Sequence, residues 1–238
     1  MGFDKIDVVY AQSRRIAVGI TPDVLNDCVA DLAFALILDV ARGVSASDRF
    51  VRNGQWLKER FPLATKVSGK RIGILGLGRI GHAIARRAAG FDMEVGYHNR
   101  GPVAGSPLQY FGSPGLLAQW SDFLVVVVSG GPATRHLVSR EVLDALGPAG
   151  FLINVARGTV VDEAALVEAL VEKRIAGAGL DVFDAEPRVP EKLFSLDNAV
   201  LLPHIASGTH ETRQAMADLV FENLTSFYAS GKVRRSAI

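Results

Sequence analysis

Arg71-Ile-Gly-Ile-Leu75-Gly76-Leu77-Gly78-Arg79-Ile80-Gly81-His-Ala-Ile-Ala85 decides the fold. A short apolar run leads straight into three glycines spaced G-x-G-x-x-G, and an amphipathic helical pattern follows. Alone the glycine pattern is weak, but between a strand and a helix it is a dinucleotide fingerprint. Gly76 permits the tight turn, Gly78 lets backbone approach a pyrophosphate, and Gly81 lets helix and strand pack closely. The free N–H groups at the helix start, with their partial positive charge, then hold the phosphates. Gly76, Leu77, Gly78, Arg79, Ile80 and Gly81 are therefore candidate cofactor-binding residues.

The next strand, at 93–98, ends in Gly96-Tyr97-His98-Asn99-Arg100. Sites that prefer NAD place a carboxylate there to accept from the ribose hydroxyls. This strand has none: Asn99 offers hydrogen bonds and Arg100 a bidentate partner for a 2′-phosphate. NADP is thus preferred, with NAD possible. Further strands are expected at 71–75, 123–128, 151–155, 179–183 and 199–202, with helices at 80–89, 115–120, 140–146 and 163–173. Short apolar strands alternating with amphipathic helices imply an α/β fold, a Rossmann-type doubly wound parallel sheet. A last helix, 211–228, has no strand after it, so it must dock on the sheet's side or return to another domain.

On the other side of the fingerprint, Ile16-Ala-Val-Gly-Ile20 reads as a buried strand, preceded by an apolar patch at Ile6, Val8, Val9 and Tyr10. A helix starts near Pro22, with Asp27 or Asp31 suited to its first turns. From Leu32 to Val40 it is apolar on nearly every face, so its own domain or a second subunit must bury it. Residues 49–61, with Trp56, form a polar-aromatic connector, either an arm reaching a partner or a surface loop. The 238 residues allow one large domain or two modest ones. Twenty-six Lys and Arg against 25 Asp and Glu give a net charge of +1, which carries no bias towards nucleic acid or a membrane surface. No apolar run is long enough to span a bilayer, and Cys28, the single cysteine, makes a reducing, cytoplasmic setting the default. No cluster has metal-ligand spacing, so no metal is expected.

Three loops at the sheet's carboxyl edge, where ligands sit in such folds, carry chemistry. They are Asn154-Val155-Ala156-Arg157-Gly158-Thr159, Asp181-Val-Phe-Asp184-Ala-Glu186-Pro187 and Leu201-Leu-Pro-His204-Ile-Ala-Ser-Gly208. Together with GLGRIG, the stretches VARGTVVDEAAL, GAGLDVFDAEP and LLPHIASGT closely resemble the D-isomer-specific 2-hydroxyacid dehydrogenases. The resemblance runs over essentially the whole chain. It is nearest the NADP-using glyoxylate/hydroxypyruvate and hydroxyphenylpyruvate reductases, notably at Tyr97-His-Asn-Arg100 and around Pro190-Glu-Lys-Leu-Phe194.

The resemblance implies a catalytic set of Arg157, Glu186 and His204. Arg157 would bind the substrate carboxylate and polarise the keto group, a task suited to its planar fork. His204 would donate a proton to the carbonyl oxygen, and Glu186 would orient the imidazole and favour its charged form. Asp181 matches the family residue on the nicotinamide side of the cofactor, with Val155 and Ala156 lining the same pocket through backbone. The implied reaction is hydride transfer from NADPH to a small 2-oxo acid, by a homodimer associating through the 31–42 helix.

The opening Met1-Gly-Phe-Asp-Lys-Ile-Asp7 resembles an internal V/S-G-F-D segment of the family, near the last strands of its first domain. The expected division is 1–23 as the remnant of a flavodoxin-like substrate domain, 24–205 as the NAD(P)-binding domain, and 206–238 as a C-terminal helix returning to the substrate domain. Two function classes follow: an active 2-oxo acid reductase, or a truncated dinucleotide-binding fragment with weak turnover or none. Exposed apolar surface is expected around Ile16–Ile20.

Overall fold

The computed structural model describes residue 2 and residues 4–237; Met1 and Phe3 of the opening segment, and Ile238, lie outside the described residues. Among those described, strand β1 (Arg71–Leu75) stands near the middle of one parallel sheet. Strands β2 (Glu94–His98) and β3 (Gln109–Tyr110) extend it on one side. On the other follow β4 (Phe123–Val126), β5 (Phe151–Asn154), β6 (Gly177–Leu180) and β7 (Ala199–Leu201). The order β3-β2-β1-β4-β5-β6-β7 reverses direction between β1 and β4. In doubly wound sheets such a reversal opens a crevice at the carboxyl ends of the strands.

Strands β4, β5 and β6 are buried along their whole length, which is why they read as unbroken apolar runs rather than alternating ones. The two-residue pleat still divides them between two cores. Phe123 and Val125 join the core under helices α2 (Asn26–Arg42) and α4 (Arg79–Ala89). Leu124 and Val126 join the opposite core, with α5 (Pro114–Trp120), α6 (Arg140–Leu146) and α7 (Glu163–Val171).

The apolar helix α2 is buried within the chain. Leu36 meets strand β6, Ile37 is fully buried and Phe34 stacks on Phe91 at 5.1 Å, while Asp31 and Ala35 on the outer side are exposed. Strand β6 admits it by offering glycines. A Cβ on Gly179 would stand 2.9 Å from Leu36 Cβ, and one on Gly177 would stand 2.8 Å from Val40 Cγ2.

Several expected elements need correction. The stretch at 16–20 is not a strand; it makes a single antiparallel bridge, Gly19 with Ser236. The patch at 8–10 lies in a short helix, α1 (Val8–Ser13). The connector at 49–61 begins inside a helix, α3 (Val44–Arg52), which follows α2 after Gly43 adopts the left-handed conformation that closes a helix. The strand expected at 179–183 runs from Gly177 to Leu180, because Asp181 already turns away to bind other backbone. The last helix, α8 (His210–Ser230), returns to the front of the chain rather than to the sheet. Its buried Asn223 donates to the Ile20 carbonyl at 3.0 Å and accepts from Arg235 N–H at 2.8 Å.

Candidate active site

A cleft of about 520 Å³ lies over the carboxyl edge of the sheet. Gly78, Arg79 and Ile80 line it, with Val155, Ala156 and Arg157, with Asp181 and His204, and with Gly2, Pro22 and Asp23 from the front of the chain.

The glycine turn is shaped by what its glycines touch. Gly76 sits at φ +111°, and a Cβ there would stand 2.9 Å from Val128 N. A Cβ on Gly81 would stand 2.4 Å from Gly76 O, so only glycine lets α4 start this close to the turn. A Cβ on Gly78 would meet nothing within 4 Å. The turn is thus tight behind and open in front, and α4 begins at Gly78 without a side-chain cap on its first amides. Open backbone at a helix N-terminus fits the pyrophosphate of a nicotinamide dinucleotide. Asn99 braces the turn: its Oδ1 accepts from Leu77 N–H at 2.7 Å. Arg100 is exposed beyond the end of β2, and Arg79 pairs with Asp23 at 2.5 Å.

The arginine loop leaves β5 through a buried polar residue. Asn154 Oδ1 accepts from Ala156 N–H at 3.1 Å, and its Nδ2 donates to the Arg157 carbonyl at 3.0 Å. A Cβ on Gly158 would stand 1.9 Å from the Phe183 carbonyl carbon. That contact presses the arginine loop onto the loop that carries Glu186. Arg157 Nη1 donates to the Ala156 carbonyl at 2.7 Å, and its Nε lies 3.3 Å from Asp4 Oδ1.

Glu186 has one oxygen for each neighbour. Its Oε1 accepts from Phe183 N–H at 3.1 Å, and its Oε2 lies 2.8 Å from His204 Nδ1. A carboxylate can only accept there, so Nδ1 carries the proton of this bond, and His204 lines the cleft. His204 sits at φ +55° after Pro203, at the end of β7. Asp181 holds that conformation: its two carboxylate oxygens accept from Ile205 N–H at 2.7 Å and Ala206 N–H at 2.9 Å. Burial pushes the Asp181 carboxyl above the usual range, although the two amides pull it back.

The fold therefore gathers Gly78, Arg79, Ile80, Val155, Ala156, Arg157, Asp181 and His204 around one cleft. Gly76, Leu77, Gly81 and Asn99 shape the turn behind it, and Glu186 stands behind His204. The motifs did not single out Asn154, Gly158 and Asp4. A lone asparagine ending the run Phe-Leu-Ile-Asn154 is a readable sign that buried polar work follows the strand. No group of His, Cys, Asp and Glu among the described residues is arranged to hold a metal, and no described helix is long and apolar enough to cross a membrane.

Residues 34–206 match the family described as D-isomer specific 2-hydroxyacid dehydrogenase, NAD binding domain. The chain is 54% identical over 232 residues to a hydroxyphenylpyruvate reductase of Plectranthus scutellarioides, covering 98% of this chain and 74% of that protein. It is 52% identical to a glyoxylate/hydroxypyruvate reductase of Arabidopsis thaliana, again over 98% of this chain and 74% of that one. Among solved structures, an NADPH-dependent glyoxylate/hydroxypyruvate reductase from Sinorhizobium meliloti, in complex with NADP and malonate, superimposes with a TM-score of 0.95. That pair shares 46% identity over 99% of this chain and 75% of the other.

Proposed function

The chain belongs to the D-isomer specific 2-hydroxyacid dehydrogenases, oxidoreductases acting on CH–OH groups, and we propose that it reduces a small 2-oxo acid to the D-2-hydroxy acid with NADPH. The observation that carries this reading is the 2.8 Å His204–Glu186 pair at a cleft that also holds Arg157 and the open glycine turn. Hydroxypyruvate, glyoxylate and hydroxyphenylpyruvate are the proposed substrates, after the relatives named for them.

Gly78, Arg79 and Ile80 would hold the pyrophosphate, with Gly76, Leu77, Gly81 and Asn99 keeping the turn in shape. Arg100, exposed past β2 where no carboxylate stands, would pair with the 2′-phosphate and favour NADP over NAD. When bound, the reduced nicotinamide supplies the hydride that C2 of the 2-oxo acid accepts. Arg157 binds the substrate carboxylate and draws electron density from the keto group. His204 gives its Nε2 proton to the carbonyl oxygen as the alkoxide forms, and Glu186 holds the imidazole with Nδ1 protonated. Val155 and Ala156 border the same space. Asp181 would lie on the side of a bound nicotinamide, and it secures the histidine loop.

The same proposal divides the chain into a substrate-domain part at 1–23, an NAD(P)-binding part at 24–205 and a returning helix at 206–238. It also includes a cytoplasmic homodimer built around the 31–42 helix. The inner face of that helix is spent on the sheet, so contact falls to its outer residues and to the exposed Val51, Trp56 and Leu57 nearby. Light scattering should give a dimer mass.

The decisive measurement is nicotinamide oxidation by the purified chain over a panel of 2-oxo acids. NADPH should outperform NADH, and Arg100→Ala should weaken NADPH much more than NADH. His204→Gln should lose about 10²- to 10⁴-fold in kcat, the usual share of general acid–base assistance. Tight NADPH binding without turnover of any 2-oxo acid would overturn the reading.

A further inference from the structure

One carboxylate outside the motif residues stands directly against the arginine. Asp4 Oδ1 lies 3.3 Å from Arg157 Nε, and only 15% of the Asp4 side chain and 29% of the Arg157 side chain are exposed. On the far edge of the guanidinium, Nη1 donates to the Ala156 carbonyl at 2.7 Å. Two glycines close around the side chain. A Cβ on Gly130 would stand 2.7 Å from Arg157 Cγ, and one on Gly2 would stand 2.4 Å from Nη2.

A planar guanidinium has three nitrogens and one plane, so fixing two of them fixes the third. Asp4 takes Nε and the Ala156 carbonyl takes Nη1. Among the described residues, what is left is the Nη2 edge beside Gly2, and both Gly2 and Arg157 line the cleft. We infer that Asp4 is a positioning residue for Arg157: it sets the guanidinium plane so that the free edge faces an incoming carboxylate. This rests on the reading that Arg157 binds the carboxylate of a 2-oxo acid. Asp4 itself touches neither substrate nor cofactor in this scheme.

Charge and geometry make opposite predictions, which separates the two roles. As a mere bystander, the Asp4 carboxylate would repel an anionic substrate, and removing it would lower KM. As a positioning residue, its removal lets the guanidinium swing and raises KM. For Asp4→Ala we expect KM for hydroxypyruvate to rise about tenfold, kcat to fall severalfold, and NADPH affinity to stay within about twofold. Asp4→Asn keeps a carbonyl oxygen that accepts from Nε, so it should stay within about threefold of the parent.

The experiment measures steady-state constants for both variants, NADPH binding by fluorescence, thermal unfolding, and the Arg157 Nε–H signal by NMR. A raised KM in Asp4→Ala, near-parental Asp4→Asn, and a shifted, fast-exchanging Nε–H signal in the alanine variant support the inference. An unchanged or lowered KM in Asp4→Ala overturns it, as does an Asp4→Asn variant as impaired as the alanine one. If Asp4→Ala does not fold, Asp4→Glu takes its place, and an unchanged KM there overturns the inference because the longer arm cannot keep the same plane. An inactive parent overturns the reductase reading by itself. In that case the Nε–H signal still decides the role of Asp4: a change on mutation supports it, and an unchanged signal overturns it.

Discussion

At the residue scale, a histidine at φ +55° is held in a backbone region that costs a residue with a Cβ on the order of 1 kcal/mol. Asp181 supplies the restraint, through two hydrogen bonds to the amides that follow His204. Bonds to an ionised acceptor contribute about 1.5–3 kcal/mol each, so the pair outweighs the strain. Asparagine in that place would present one acceptor and one NH₂, setting a donor against the N–H of Ile205 or Ala206. Asp181→Asn should therefore loosen the histidine loop and lower kcat about tenfold, with NADPH binding less affected, as steady-state and binding measurements would show. An unchanged kcat would remove this role. Asp181 was visible in the sequence through the GLDVFDAEP motif, and His204 through LLPHIASGT. That one holds the other was not visible, because the bonded atoms are 24 and 25 residues apart and both neighbourhoods are ordinary loop sequence.

At the scale of elements, the sheet was legible because β1, β4 and β5 are short unbroken apolar runs and amphipathic helical patterns lie between them. Strand β3 was not: Gln109–Tyr110 is a strand only because Gly96 and Tyr97 pair with it. Helix α3 was hidden by polarity, since only Phe50 of its nine residues is buried. The packing of α2 on β6 was equally silent, because nothing in the sequence says that Gly177 and Gly179 act as the floor for a helix. Gly179→Ala would push its methyl into Leu36 Cβ, 2.9 Å away, on a helix whose inner face is packed on the sheet. The variant should lose about 1–3 kcal/mol of stability in denaturant unfolding, the usual range for overpacking. At the other end of the sheet, Asp122 accepts from Arg71 N–H at 2.8 Å and pairs with its guanidinium at 3.3 Å. Burial alone would push the Asp122 carboxyl upward; the Arg71 side chain and N–H outweigh it and hold the carboxyl below the usual range. A lowered folded value stabilises the chain above the ordinary aspartate value of about 3.9, and the benefit disappears as pH falls through the folded value. Asp122→Asn should be less stable than the parent at neutral pH by about 1–2 kcal/mol. The gap should close as the solution is taken into that acid range; a gap independent of pH would refute the linkage.

At the scale of the whole molecule, the two ends of the chain are joined to each other more than to the sheet. Ile20 N–H donates to the Arg235 carbonyl at 2.9 Å, and Ala237 N–H donates to the Val18 carbonyl at 2.9 Å. Asn223 bridges the same two segments from within α8, and Gly19 packs against it so closely that a Cβ there would stand 3.1 Å from its Nδ2. The apolar run at 16–20 read as a strand because its composition is that of one; its partner is a few residues near the far end of the chain, so the pairing stops at a single bridge. The expected exposed surface is there at Ile16, but it is larger on α1 and α8, where Val9, Tyr10, Phe221 and Tyr228 are more than half exposed. Because this unit shares no strand with the sheet, its stability should be separable from the sheet's. Asn223→Ala removes two buried hydrogen bonds, worth about 1–3 kcal/mol together. Hydrogen exchange should then quicken at the Ile20, Arg235 and Ala237 amides, while β1, β4 and β5 keep the protection of the parent. NADPH binding, which draws on the glycine turn and β2, should change little, whereas KM for the 2-oxo acid should rise, because Gly2 and Ile20 border the cleft from this side. Uniformly faster exchange across the sheet would instead mean that the ends and the sheet unfold as one cooperative body.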